Sequence, residues 1–214
     1  MPTSPRYRPI TVDHLVTELA ERVAATAAHR RWTRVLIDGA DEATNTAELA
    51  DALVDPLRVR GHEVLRVSAG DFLRPASLRF ERGRYDPDVR YEDWLDVAAL
   101  RREVLGPLEP SGTGEVLPAL WDTTRDRAFR LPRTRLPDGG IMVLDGELLL
   151  GQGLPAEITV HLWLSHGALN RRLPEESRWA LPAYTRYEEE VAPAELADVV
   201  VRVDDPRRPA LREA

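Results

Sequence analysis

The segment Gly39-Ala40-Asp41-Glu42-Ala43-Thr44-Asn45-Thr46 has the position and length of a phosphate-binding loop. It lies between an apolar, β-branched run and a helical pattern. The phosphate-binding pattern G-x-x-x-x-G-K-[ST] works through backbone N–H groups that converge on phosphate oxygens. Its lysine reaches the β- and γ-phosphates, and its hydroxyl reaches magnesium. Gly39 and Thr46 match this pattern. Thr44 stands where the second glycine belongs, and Asn45 where the lysine belongs. Asn45 can donate a hydrogen bond but brings no charge. Asp41 and Glu42 add negative charge where an anion would sit, and suit a cation better. By residue type alone, the loop reads equally well as an ordinary strand-to-helix connection. Two further strand ends carry Gly70-Asp71 and Asp145-Gly146. Ligands of parallel sheets bind at such carboxyl ends.

Composition removes several chemistries. The chain has 214 residues and no cysteine. That excludes disulfides, thiol nucleophiles, Cys-ligated zinc and iron–sulfur clusters. Lysine is absent too, so all 29 basic residues are arginine. No Schiff base and no phosphate-gripping lysine can form. The net charge of −7 disfavours nucleic acid and anionic membranes as partners. The five histidines show no H-x-x-x-H or H-E-x-x-H spacing, which argues against a metal site built from them. No apolar run reaches the ~20 residues of a membrane span. The opening MPTSPRYRPITVDHL lacks an apolar signal core, so a soluble, cytoplasmic protein is expected.

The elements that must position these residues follow from periodicity. Residues 12–30 and 46–60 carry apolar side chains at helical spacing. Residues 34–38, 63–68, 141–144, 157–164 and 198–203 read as strands. Helices are expected at 94–107, 166–173 and 183–191. Strand, helix and strand in succession form a βαβ unit, which calls for a parallel sheet. The predicted fold is α/β: a three-layer sandwich, with a parallel sheet of about five strands, in a single domain over residues 1–214.

Taken together, these segments resemble the uridine kinase-like family of P-loop kinases. VLIDGADEATNT resembles its strand, P-loop and helix start, and SAGDFLRP its D-D-F-x-R-P segment. RGRYDPDVRYEDWLDVAALRREVLGPL is similar to the stretch leaving its acceptor site. ALWDTTRDR resembles its nucleoside-pocket strand, IMVLDGELLL its Walker B-like strand, and ALNRRL its arginine-bearing lid. LPAYTRYEEEVAPAELADVVVRVDDPRRP is similar to its C-terminal pattern.

The resemblance implies a P-loop at 39–46, an acceptor region at 71–93 and a lid at 168–182. It implies ATP and magnesium as cofactors. Gly39, Thr44, Asn45, Thr46 and Arg178 would hold ATP, and Thr46 and Asp145 would hold the metal. Asp71, Arg171 and Arg172 would be catalytic. Tyr85, Tyr91, Trp121 and Asp122 would bind a nucleoside-like small molecule, with Trp94 beside them. Each has a plainer reading: Thr46 as a helix cap, Asp145 as a turn residue, the aromatics as packing, and Asp122 with Arg125 as a surface ion pair. A homo-oligomer is compatible with the pattern.

Four departures bear on activity: Asn45 for lysine, Thr44 for glycine, Gly70 where the family's base aspartate stands, and a short lid. Removing one transition-state charge stabiliser typically costs about 3 kcal/mol. A β-branched residue at a position needing φ > 0 is strained, so another loop conformation is expected. The sequence therefore predicts a uridine kinase-like phosphotransferase scaffold with impaired catalysis. The alternatives are a non-catalytic nucleotide- or nucleoside-binding pseudokinase and a repurposed biosynthetic enzyme.

Overall fold

The β-branched runs become strands buried from both sides, and the amphipathic helices cover them. In the computed structural model, which describes residues 5–213, the strands are β1 (Tyr7–Pro9), β2 (Trp32–Gly39), β3 (Val64–Ser68), β4 (Gly140–Gly146), β5 (Ile158–Trp163), β6 (Val199–Arg202) and β7 (Ala210–Arg212). They form one sheet in the order β1-β7-β6-β5-β2-β4-β3. The five strands from β6 to β3 are parallel. β7 and β1 add an antiparallel edge. The parallel part is the expected sheet. The antiparallel edge was not expected, because three-residue strands carry no readable period.

All residues of β2 and β4 are buried, as central parallel strands require. Alternate residues serve opposite faces. Val35, Ile37, Ile141 and Val143 meet helix α1 (Val12–Ala27) and helix α2 (Thr46–Val59). Leu36, Met142 and Leu144 meet the layer that contains Leu100, Val104 and Leu105. That second layer is not the single helix the periodicity suggests. Asp96 caps Val97–Leu100 by accepting from the Ala99 amide at 2.8 Å. The chain then widens into a π turn at Arg101–Leu105 and tightens at Gly106–Leu108. A Cβ on Gly106 would lie 2.8 Å from the Arg101 carbonyl oxygen, so glycine is what lets the turn close. Among the described residues, no helix is long and apolar enough to cross a membrane.

One polar junction ties the strand ends together. Register sets Asp38 of β2 beside His161 of β5. The Asp38 carboxylate is fully buried. It accepts from His161 Nδ1 at 2.7 Å, Tyr187 Oη at 3.0 Å and the Leu149 amide at 2.8 Å. Tyr187 comes from helix α5 (Leu181–Glu190), which follows helix α3 (Pro87–Asp93) and helix α4 (His166–Arg172) along the chain. Burial alone would lower the His161 pKa, but the hydrogen bond to Asp38 and the negative charges of Asp38 and Glu188 more than offset it and push it up to about 9.

A group whose pKa is raised on folding stabilises the fold fully below its unfolded value, about 6.5 for histidine. That contribution is lost as pH rises through the folded value. Thermal melts of the wild type should therefore lose midpoint between pH about 6.5 and 9. His161→Gln should start lower and show a flatter profile over that window. Equal slopes in the two proteins would refute the linkage.

Candidate site at the strand ends

The loop after β2 is built from its own hydrogen bonds. Asp41–Thr44 makes a single helical turn. The amides of Ala43 and Thr44 donate to the Ala40 carbonyl at 2.8 Å each, and the Asn45 amide donates to the Asp41 carbonyl at 2.9 Å. Thr44 Oγ1 also donates to the Ala40 carbonyl, at 3.1 Å. Three consecutive N–H groups are thus bonded within the loop and do not converge on an external anion. Thr44 takes an ordinary helical conformation. The left-handed position falls on Asn45, at φ 56°, and asparagine is among the residues that tolerate it. That kink turns the Asn45 side chain outward, where its amide nitrogen donates to Glu48 at 3.2 Å. Thr44 packs over Gly39 so closely that a Cβ there would meet Thr44 Oγ1 at 2.6 Å.

The candidate metal ligands are engaged in the same way. Thr46, fully buried, donates its hydroxyl to the Asp41 carboxylate. Asp145, also fully buried, accepts from Arg66 Nη1 at 2.5 Å. Arg66 further donates to Asp51 at 2.8 Å. Burial raises the Asp145 pKa, Arg66 pulls it back, and the Asp41 charge adds to the rise. Asp145 Oδ2 has no hydrogen-bond partner, but one oxygen is not a coordination shell. Among the described residues, no group of three or more histidine or carboxylate side chains is arranged to hold a metal. ATP and magnesium therefore do not fit this loop as it is folded. Phosphate lacks its amides, and magnesium would have to displace a guanidinium from Asp145 and a hydroxyl from Asp41.

Asp71 sits in the single turn Ala69–Phe72 after β3. Burial raises its pKa, and the charges of Asp145 and Asp122 add to the rise. Beside it lies a cleft of about 290 Å³, lined by Asp41 and Glu42 of the loop, Gly70, Tyr91 and Trp94, with Arg79 and Arg90. Both cations are already committed. Arg79 Nε donates to the Arg74 carbonyl at 2.7 Å. Arg90 pairs with Glu147, contacts Tyr184 Oη at 3.3 Å, and stacks on Trp94 at 4.6 Å. The cleft thus offers aromatic faces and Glu42, unpaired among the described residues, with Asp41 already held by Thr46, a setting for a hydroxylated or cationic molecule and not for a polyanion.

The remaining expected residues fall as follows. Tyr91 lines the cleft, and its hydroxyl donates to Glu190 at 3.2 Å. Tyr85 is exposed and packs edge-on against Trp179, which also meets Trp94. Through Trp179, the 168–182 segment is docked on Tyr85 and Trp94. Trp121 donates from its indole to Asp126 at 3.0 Å. Asp122 caps its own turn, accepting from the Thr124 and Arg125 amides at 3.0 Å. Arg172 donates to the Val203 carbonyl at 2.6 Å, and Arg171 and Arg178 are exposed. The sequence reading missed Arg66, Arg90 and Glu147. A charged residue inside the strand run VLRVS was the available signal for Arg66.

If Arg66 neutralises Asp145, Arg66→Met should lower stability by about 3 kcal/mol, because it strands a buried carboxylate. The double variant Arg66→Met/Asp145→Leu should recover most of that loss. Urea unfolding measures both, and a neutral Arg66→Met would refute the pairing.

No family model matches the chain, and no curated protein matches it. Solved structures do. A protein described as a possible uridine kinase from Bacillus stearothermophilus superposes with a TM-score of 0.70 at 20% identity, over 88% of this chain and 98% of that one. A "putative fructose transport system kinase" from Silicibacter sp. TM1040 gives 0.60 at 18% identity, over 85% and 94%. The YGR205w protein gives 0.61 at 12% identity, over 96% and 100%. At such identities the likeness speaks to architecture, and it agrees with the parallel sheet and strand-end loop described above. The chain has the fold of the uridine kinase-like P-loop kinases.

Proposed function

We propose that this protein binds a small hydroxylated molecule on a P-loop kinase fold and has lost most or all phosphoryl transfer from Mg·ATP. One observation carries the reading: the amides of Ala43, Thr44 and Asn45 are bonded inside the loop that would have to cradle phosphate. Phosphoryl transfer is almost wholly positioning and charge stabilisation. Neither remains here without an amide cradle, a lysine and a free magnesium carboxylate. The ligand side of the scaffold survives. Two of the structural relatives are described as kinases of uridine and of a fructose system, both hydroxylated small molecules. The cleft beside Asp71 has the aromatic faces and carboxylates to hold one. In this reading Asp71, Tyr91 and Asp41 accept hydroxyl protons as hydrogen bonds, and Trp94 supplies a stacking face.

Calorimetry with Mg·ATP should show no binding tighter than about 1 mM, equivalent to roughly −4 kcal/mol. Uridine, cytidine and fructose should be titrated in parallel, and at least one should bind and lose affinity in Asp71→Asn. The triple variant Asp41→Gly/Thr44→Gly/Asn45→Lys reopens the loop and restores its charge. It should gain Mg·ATP affinity by at least about tenfold. Tight Mg·ATP binding with turnover by the wild type would overturn the proposal.

A further inference from the structure

A second cavity, of about 320 Å³, lies on the other side of the loop from the cleft. Its walls are mainly apolar: Leu148, Leu162, Leu164 and Leu169. Its volume falls at the lower end of the range for ligand pockets, which pair apolar walls with a few convergent polar groups.

Its polar lining includes His161 and Glu188. His161 is 3% exposed. Its Nδ1 is held by Asp38 at 2.7 Å, which fixes the ring and leaves Nε2 on the opposite side. Nε2 is buried with no hydrogen-bond partner. Glu188 Oε1 is 3.7 Å away, beyond hydrogen-bonding reach. Buried polar atoms are rarely left unpaired, and each exception asks for an explanation, a bound partner among them. Burial opposes a proton on this ring, but Asp38 and Glu188 push its pKa up to about 9, so Nε2 carries a hydrogen at neutral pH.

A second, independent feature marks the same place. Leu148, which lines both this cavity and the cleft, is held at φ 57°. That region disfavours leucine, and strain of this kind collects at ligand sites. The following amide, that of Leu149, is the one that reaches Asp38.

We propose that this cavity is a second small-molecule site, for a compact, neutral, mostly apolar molecule with one lactam-type edge. Its carbonyl would accept from His161 Nε2 and its adjacent N–H would donate to Glu188. Glu188 and Glu189 at the lining disfavour an anion, and the mainly apolar walls cannot replace the hydration of a free cation. The site does not depend on the reading of the cleft, since it shares neither Asp71 nor Asp145.

The test uses 2-pyridone as probe and the full chain labelled with nitrogen-15. Toluene serves as the probe lacking the edge, and benzoate as the anionic one. Long-range histidine spectra should show a saturable shift at His161 Nε2 with 2-pyridone, half-complete below about 10 mM. Toluene and benzoate should bind at least about tenfold more weakly. Glu188→Gln should weaken 2-pyridone by about tenfold. It alters a side chain that is 44% exposed, so it keeps the test decisive if His161→Phe, which should abolish binding, does not fold. No shift up to about 10 mM, equal affinity for toluene, or an unchanged affinity in Glu188→Gln would each overturn the site.

Discussion

A carboxylate with no exposed surface sets the terms for this fold. Asp38 is the penultimate residue of the central strand, out of reach of bulk solvent. Desolvating an ionised carboxylate is prohibitive unless several donors meet it. Here the donors come from three other places in the chain: the neighbouring strand, the turn after β4, and helix α5. Each is pinned to the end of β2 by the same requirement. The loop that begins at Gly39 inherits its starting point from that junction. So do the two cavities that flank it.

The same rule, that buried charge must be answered, governs the loop after β2. Asp145 points from β4 toward the loop, and Arg66 from the edge strand answers it. Asp41 answers Thr46. The loop amides answer their own carbonyls. In a working P-loop, these three demands are met by magnesium and phosphate. In this chain they are met internally: Arg66 pairs with Asp145, the Asp41 carboxylate holds the Thr46 hydroxyl, and backbone carbonyls take the loop amides. A protein with no lysine has only arginine for such duties. Arginine's long planar fork reaches two acids at once, as Arg66 does with Asp51 and Asp145.

The 71–93 segment shows the same closure on a larger scale. Arg90 is enclosed by Glu147, Tyr184 and two tryptophans. Trp179 brings the segment after α4 down onto Trp94 and Tyr85. Aromatics that in sequence suggested stacking on a ligand stack largely on one another and on arginine. Tyr91 and Trp94 alone keep a face toward the cleft.

The residue order by itself determined the parallel five-stranded sheet, the two helices read at 12–30 and 46–60, which the structure ends at 27 and 59, and the placing of the loop between β2 and α2. Those features follow from local periodicity, which contiguous residues carry. It also determined that Asn45 and Thr44 cannot act as lysine and glycine, since residue type alone removes the charge and the flexibility. Only the tertiary structure decided where the remaining charges went. Arg66 meets Asp145 across 79 residues and His161 meets Asp38 across 123, and no local pattern encodes a partner at that distance. The same holds for the two short edge strands, the π turn at Arg101–Leu105, and the cavity beside His161. Each depends on how separate segments meet, and strand register and side-chain packing settle that only once the chain has folded.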